Sequence, residues 1–267
     1  MAETTAIAWT DHTFNIAWGC TKISPGCAKC YADSLAKRYG HSVWGPATPR
    51  RTFGEKHWGE PLRWNREAER LGQRRRAFCS SMCDIFEDHP VIDQERSRLW
   101  PLIRATPWLD WQLLTKRSDR IVTHLPDDWG DGYHNVWLGV SIENNDYVDR
   151  ADHLRLVPAA VRFISYEPAL GPLSQLNLAG IDWVIYGGES GPRYRPHDLQ
   201  WARDIRQRCD AVGVAFFYKQ SAARLPERGT MLDGATVRSY PVSRLSLPVL
   251  KTDPSVDVNS KLPAPAP

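Results

Sequence analysis

The sequence predicts an α/β fold, a partial or near-complete parallel β/α barrel of TIM type, on two observations. From residue 77 onward, short apolar runs alternate with longer amphipathic ones in the rhythm of repeated βα units. Each run is then followed by charged or amide side chains: Asp84, Lys116 and Arg117, Glu143 and Asn144, Glu167, Glu189, and Lys219 and Gln220. The carboxyl ends of parallel barrel strands share one face, where active sites are built, so this recurrence places a site there.

The elements follow in order. Residues 1–11 are a polar lead-in, and Thr13 to Trp18 reads as a first strand that delivers Cys20 to its carboxyl end. Residues 27–39 read as a helix with Leu35 and Tyr39 on a buried i, i+4 stripe. Residues 40–76 form an irregular, basic insertion punctuated by Gly and Pro, an accessory element ending in a helical run from Pro61 to Arg70. Further strands are expected at 77–82, 111–115, 136–141, 161–165, 183–186 and 214–218, and helices near 91–105, 118–124, 145–156 and 198–212. Residues 168–181 read as a loop with a short turn. A single domain over 1–250 and a disordered, Pro-rich tail over 251–267 complete the chain.

Composition narrows the class. A chain of 267 residues with 42% hydrophobic residues can bury an ordinary core. No apolar run approaches the ~18 residues that span a bilayer, and no basic segment followed by an apolar stretch opens the chain. The expectation is therefore a cytoplasmic protein with no membrane partner. Six cysteines, half of them bunched in one loop, do not form a disulfide framework in a chain of this size. No Ser/His/Asp order and no phosphate-cradling Gly-rich loop supports a hydrolase or a nucleotide kinase.

The bunched cysteines are Cys20, Cys27 and Cys30, spaced C-x6-C-x2-C. Three thiolates this close repel one another unless a cation makes the deprotonated form favourable, so they read as ligands of a metal or an iron-sulfur cluster. Pro25 and Gly26 let the backbone loop back, which sets Cys27 and Cys30 on one face of a helix's first turn. The positive helix start there favours thiolate. Three thiolates leave either centre one ligand short. Zinc would need a fourth ligand, from Cys79, Cys83, His12 or His41, and would close the site as in nucleic-acid-binding zinc modules. In a four-iron cluster the open iron takes a small molecule, which on a β/α barrel points to S-adenosylmethionine. Cys79 and Cys83 themselves read as packed thiols beside the second strand, and Cys209 as core.

The segment from Arg50 to Arg76 holds nine Lys/Arg against four Asp/Glu. Arg63, Arg66, Arg70 and Arg74, interleaved with Trp58 and Trp64, suit a phosphate backbone with an indole stacked on a base. A solvated helix face, with Glu67 and Glu69 interspersed, is the other reading.

Several stretches resemble a phage- and prophage-associated three-cysteine-motif family with radical S-adenosylmethionine-like features. They include Trp9-Thr-Asp-His-Thr-Phe-Asn15, Gly19 to Ala32 with its three cysteines, Ser81-Met-Cys-Asp-Ile-Phe86, Leu114-Thr-Lys-Arg117, Trp137 to Asn144, Glu167-Pro-Ala-Leu-Gly-Pro-Leu173, Asp182 to Gly191 and Phe216-Phe-Tyr-Lys-Gln220. The first cysteine spacing is six residues where the radical superfamily has three. The resemblance implies a 4Fe-4S cluster on Cys20, Cys27 and Cys30, whose fourth iron holds the methionyl amine and carboxylate of S-adenosylmethionine. It places Ser141, Glu143 and Asn144 near the ribose. By charge complementarity Asp84 would meet the amine, and Lys116 or Arg117 the carboxylate. Glu167 and Glu189, after the fifth and sixth strands, complete the expected cofactor-binding set. The resulting expectation is a radical-type enzyme of phage or mobile-element origin in the host cytoplasm. Its substrate would be nucleic acid, served by an electron donor and a partner protein encoded nearby. The alternative is a non-catalytic, zinc- or cluster-stabilised nucleic-acid-binding protein.

Overall fold

The computed structural model describes residues 5–245, so the expected tail at 251–267 lies outside the described residues. Seven strands form one parallel sheet in sequence order: β1 (His12–Phe14), β2 (Arg75–Cys79), β3 (Leu109–Thr115), β4 (Val136–Ser141), β5 (Val161–Tyr166), β6 (Trp183–Gly187) and β7 (Ala215–Gln220). β1 pairs with β2 and β7 with β6, but β1 and β7 do not pair with each other, so the barrel is partial.

The helices are α1 (Tyr31–Arg38), α2 (Glu55–Trp58), α3 (Glu60–Leu71), α4 (Pro90–Arg104), α5 (Ile121–His124), α6 (Asp149–Arg155) and α7 (Leu199–Val212). Local chemistry sets their ends. His89 caps α4 by accepting from the Val91 amide ahead of Pro90. Asp198 caps α7 by accepting from the Gln200 amide. Gly72 and Gly213, at φ 62° and 73°, supply the left-handed residues that end α3 and α7.

One indole shows how strongly the sheet curls. Strands lie about 4.8 Å apart, so β2 and β6 would stand about 19 Å apart in a flat sheet. Yet the Trp9 ring packs on Phe78 of β2 at 4.6 Å and on Trp183 of β6 at 6.1 Å between ring centroids. The inner face therefore wraps around Trp9, and Phe163 and Phe217 fill the same interior. A Cβ on Gly139 would overlap the Phe163 ring, so that glycine makes room for it. The outer face packs against the helices through residues such as Trp111, Leu138, Ile164 and Tyr186.

Within this interior, Thr13, Phe78, Gln112, Trp137 and Val161 stand in register across β1 to β5. Gln112 is fully buried, and neither polar atom of its carboxamide has a partner. An unsatisfied buried amide is costly, so Gln112→Met, of similar volume, is expected to raise unfolding stability by about 1–2 kcal/mol in a urea titration. A loss instead would mean that a water or ligand satisfies the amide.

The structure departs from three expectations. β1 ends at Phe14 rather than Trp18, because Asn15 turns its side chain to the Met82 amide, at 2.7 Å, and Trp18 pairs antiparallel with Arg51. The 40–76 segment is not a peripheral accessory: α3 is the crossover helix between β1 and β2, its Trp64 buried against the sheet, and Arg75 and Arg76 already belong to β2. On α1 the buried stripe is Ala32 and Ala36, while Tyr39 is exposed, because small side chains let this short helix sit close. Among the described residues no helix is long and apolar enough to cross a membrane.

Candidate functional site

The three-cysteine loop leaves β1 and lies over the carboxyl ends of the strands. Pro25–Cys27 form a 3-10 turn and Cys30 is the N-cap of α1, with extended rather than helical backbone. Cys27 and Cys30 therefore do not share the first turn of a helix, because α1 starts only at Tyr31. All three thiols are free and half-buried. Burial, aided by the negative charge of Asp84, pushes the Cys20 thiol well up despite the nearby Arg117, and burial likewise raises Cys30. Desolvation thus outweighs any help from the start of α1.

Beneath the loop lies a buried charge network. Arg117 Nη1 donates to Asp84 at 2.9 Å, and Nη2 donates to the Thr21 carbonyl at 2.8 Å and lies 3.3 Å from Glu87. Its Nη1 also stands 3.6 Å from Cys20 Sγ. Arg50 holds Glu87 from the other side through two bonds of 3.0 Å. Asp84 accepts further from Thr115 Oγ1 at 2.7 Å and from the Lys116 amide at 3.2 Å.

Parity along the strands decides what faces the interior. Side chains alternate, so Lys116, Ser141, Ser165, Glu167 and Lys219 fall on the inner face above the aromatic layer. Lys116 Nζ lies 2.9 Å from Glu143 Oε1, and Lys219 Nζ lies 2.6 Å from Glu167 Oε1. Glu143 is fully buried; it also accepts from Arg150 at 2.9 Å and from Ser24 Oγ of the cysteine loop at 2.6 Å. Burial alone would raise its carboxyl, but Lys116 and Arg150 outweigh that and hold it below the usual glutamate range. Gly187 leaves room where a Cβ would press on the Glu167 carboxylate. The mouth thus carries a layer of paired positive and negative groups over an apolar floor.

Residues 4–241 match a family described as "Protein of unknown function (DUF5131)". The chain belongs to this family. No curated protein matches it. Two solved structures of spore photoproduct lyase mutants are similar, one of them carrying bound AdoMet and dinucleoside spore photoproduct. Identity is 15% for that structure and 16% for the other, with TM-scores of 0.44 and 0.46 over 74% and 78% of this chain. The aligned part makes up 61% and 64% of those chains, less than two thirds of their length.

In this DUF5131 chain the expected cofactor-binding residues divide into two groups. Lys116, Ser141, Glu143 and Glu167 fall on the inner face at the carboxyl ends of the strands. Asp84 and Arg117 neutralise each other under the cysteine loop, Asn144 caps a 3-10 turn by accepting from the Asp146 amide, and Glu189 is ion-paired with Arg195. Burial would raise Glu189, but Arg195 holds it below the usual range. Ser165 and Lys219 join the inner face as well, and counting by twos from Ser141 and Glu143 onto the neighbouring strands would have found them.

The expected nucleic-acid stripe is altered too. Trp64 is 1% exposed and stacks on His12 at 4.5 Å, so it offers no face to a base; Trp58 is buried as well. Arg74 is ion-paired with Asp110, and Arg66 and Arg70 remain exposed. The apolar needs of the crossover helix took the indoles.

No group of three or more His, Cys, Asp or Glu side chains among the described residues is arranged to hold a metal ion. His12, a possible fourth zinc ligand, stacks on Trp64, and Cys79 is fully buried. The donor chemistry of the loop still fits a thiolate-bound centre: three free, half-buried thiols stand within eleven residues at the mouth.

Proposed function

We propose that this protein holds an iron-sulfur cluster on Cys20, Cys27 and Cys30 and is a radical S-adenosylmethionine-type enzyme. The observation that carries the reading is the position of the three-thiol loop, held directly over the carboxyl ends of parallel strands. A bound cluster would supply the electron for reductive cleavage of the cosubstrate. Of the strand-end residues, Lys219 and Glu167 suit a zwitterionic amino-acid group, the one offering an ammonium donor and the other a carboxylate. The Ser141 and Ser165 hydroxyls, in register on β4 and β5, would suit a sugar hydroxyl. The aromatic floor of Phe163, Trp183 and Phe217 keeps water out from below. Nucleic acid is the proposed substrate. The exposed Lys22, Lys29, Arg193 and Arg224, with Tyr194 on the same loops and Tyr31 at the start of α1, lie around the mouth and suit phosphates and bases.

The test is anaerobic purification and reconstitution with iron and sulfide, followed by EPR of the reduced protein with and without S-adenosylmethionine. The expected result is a cluster signal that shifts with the cosubstrate and is absent in Cys27→Ala. A colourless protein with one tightly bound zinc would end this reading and favour the binding-module alternative. With the signal in hand, single-stranded DNA and RNA are the first substrates to try.

A further inference from the structure

We infer that the six-residue spacer between Cys20 and Cys27 is a docking strap that fixes the cysteine loop on the barrel mouth, with Ser24, Gly26 and Glu143 as its latch. Five of the six spacer residues are tied down. The Thr21 amide donates to Glu87 at 2.8 Å, its carbonyl accepts from Arg117 at 2.8 Å, and its hydroxyl accepts from Arg50 at 3.2 Å. Lys22 pairs with Asp33 of α1 at 2.8 Å. Ser24 Oγ donates to Glu143 at 2.6 Å, and the Pro25 carbonyl accepts from Arg195 at 3.1 Å. Gly26 lies so close to Glu143 that a Cβ would overlap its carboxylate. Ile23, by contrast, is 44% exposed.

Four of these anchors come from loops after four different strands, Glu87 after β2, Arg117 after β3, Glu143 after β4 and Arg195 after β6, while Asp33 and Arg50 lie between β1 and β2. A three-residue spacer would lack the atoms that make these bonds, which gives the longer spacing a physical purpose. The strap also ends at a thiol, since Ser24 Oγ stands 3.6 Å from Cys27 Sγ. Ser24 and Gly26 are therefore positioning residues for Cys27. The functional meaning of this rests on the proposed cluster, but the strap can be tested without it.

The experiment uses the full-length, metal-free protein. N-ethylmaleimide labelling of Cys27 is followed by peptide mass spectrometry in the wild type and in Ser24→Ala, Gly26→Ala and Ser24→Thr. Losing the charge-assisted bond is expected to speed Cys27 labelling about tenfold in Ser24→Ala and Gly26→Ala. Ser24→Thr keeps a hydroxyl and should label like the wild type. Cys209, buried in α7, reports unfolding; if it becomes reactive in Gly26→Ala, the two Ser24 variants decide. Equal Cys27 rates in all proteins would overturn the strap. Iron content after reconstitution separates the two ideas. A wild type that takes up no iron, with faster labelling in Ser24→Ala, ends the cluster reading and leaves the strap. Iron uptake with equal labelling rates does the reverse.

Discussion

Glu143→Ala is expected to remove about 3–5 kcal/mol of folding stability, because it leaves the buried Arg150 and the partly buried Lys116 without their shared anion. Lys116 and Arg150 both lie 2.9 Å from the Glu143 carboxylate, and the Arg150 side chain is itself buried. Glu143→Gln keeps an acceptor for Ser24 but loses the charge, so its cost should be smaller. The pH dependence has a definite sign. The folded carboxyl is held below its ordinary value of 4.5, so its contribution is complete above that value and is lost as pH falls through the lower, folded one. Urea titrations at neutral and acidic pH should show the gap between wild type and Glu143→Gln narrowing with acid. A loss below about 1 kcal/mol for Glu143→Ala would mean that water reaches both cations, as at an exposed pair.

Arg117→Met is the second large effect, with an expected cost of about 3 kcal/mol. The guanidinium sits between Asp84 and Glu87 and also holds the Thr21 carbonyl, so its removal unbalances one side of the network and releases the cysteine loop. Arg50 still faces Glu87, and Thr115 still donates to Asp84, which limits the damage. Arg117→Lys should recover less than half of the loss, because one ammonium cannot reproduce a planar fork that reaches three acceptors. Full recovery by lysine, read from urea midpoints, would show that charge alone matters there.

The strands were legible in the sequence because parallel barrel strands are buried on both faces, and apolar runs such as Val136 to Ser141 can be nothing else in an alternating βα pattern. The gathering of polar residues on one face followed from the same pattern, since the parallel strands all end on that face. Individual roles did not follow. Asp84 and Lys116 carry equally visible charges in the sequence, yet one pairs beneath the loop with Arg117 and the other with Glu143 on the inner face. Likewise Trp64 and the arginines beside it looked like a nucleic-acid stripe, until the crossover path of α3 turned the indole inward.

By itself, the sequence determined the parallel α/β architecture, the order of its strands and the three cysteines, all of which are local: periodicity, turn chemistry and spacing. The tertiary structure alone decided which strand-end charges pair, that Ser24 and Gly26 meet a glutamate 119 and 117 positions away, and that burial pushes the Cys20 and Cys30 thiols up. The physical reason is that desolvation and Coulomb energy depend on distance in space. Residues far apart in the chain become neighbours only when the sheet curls.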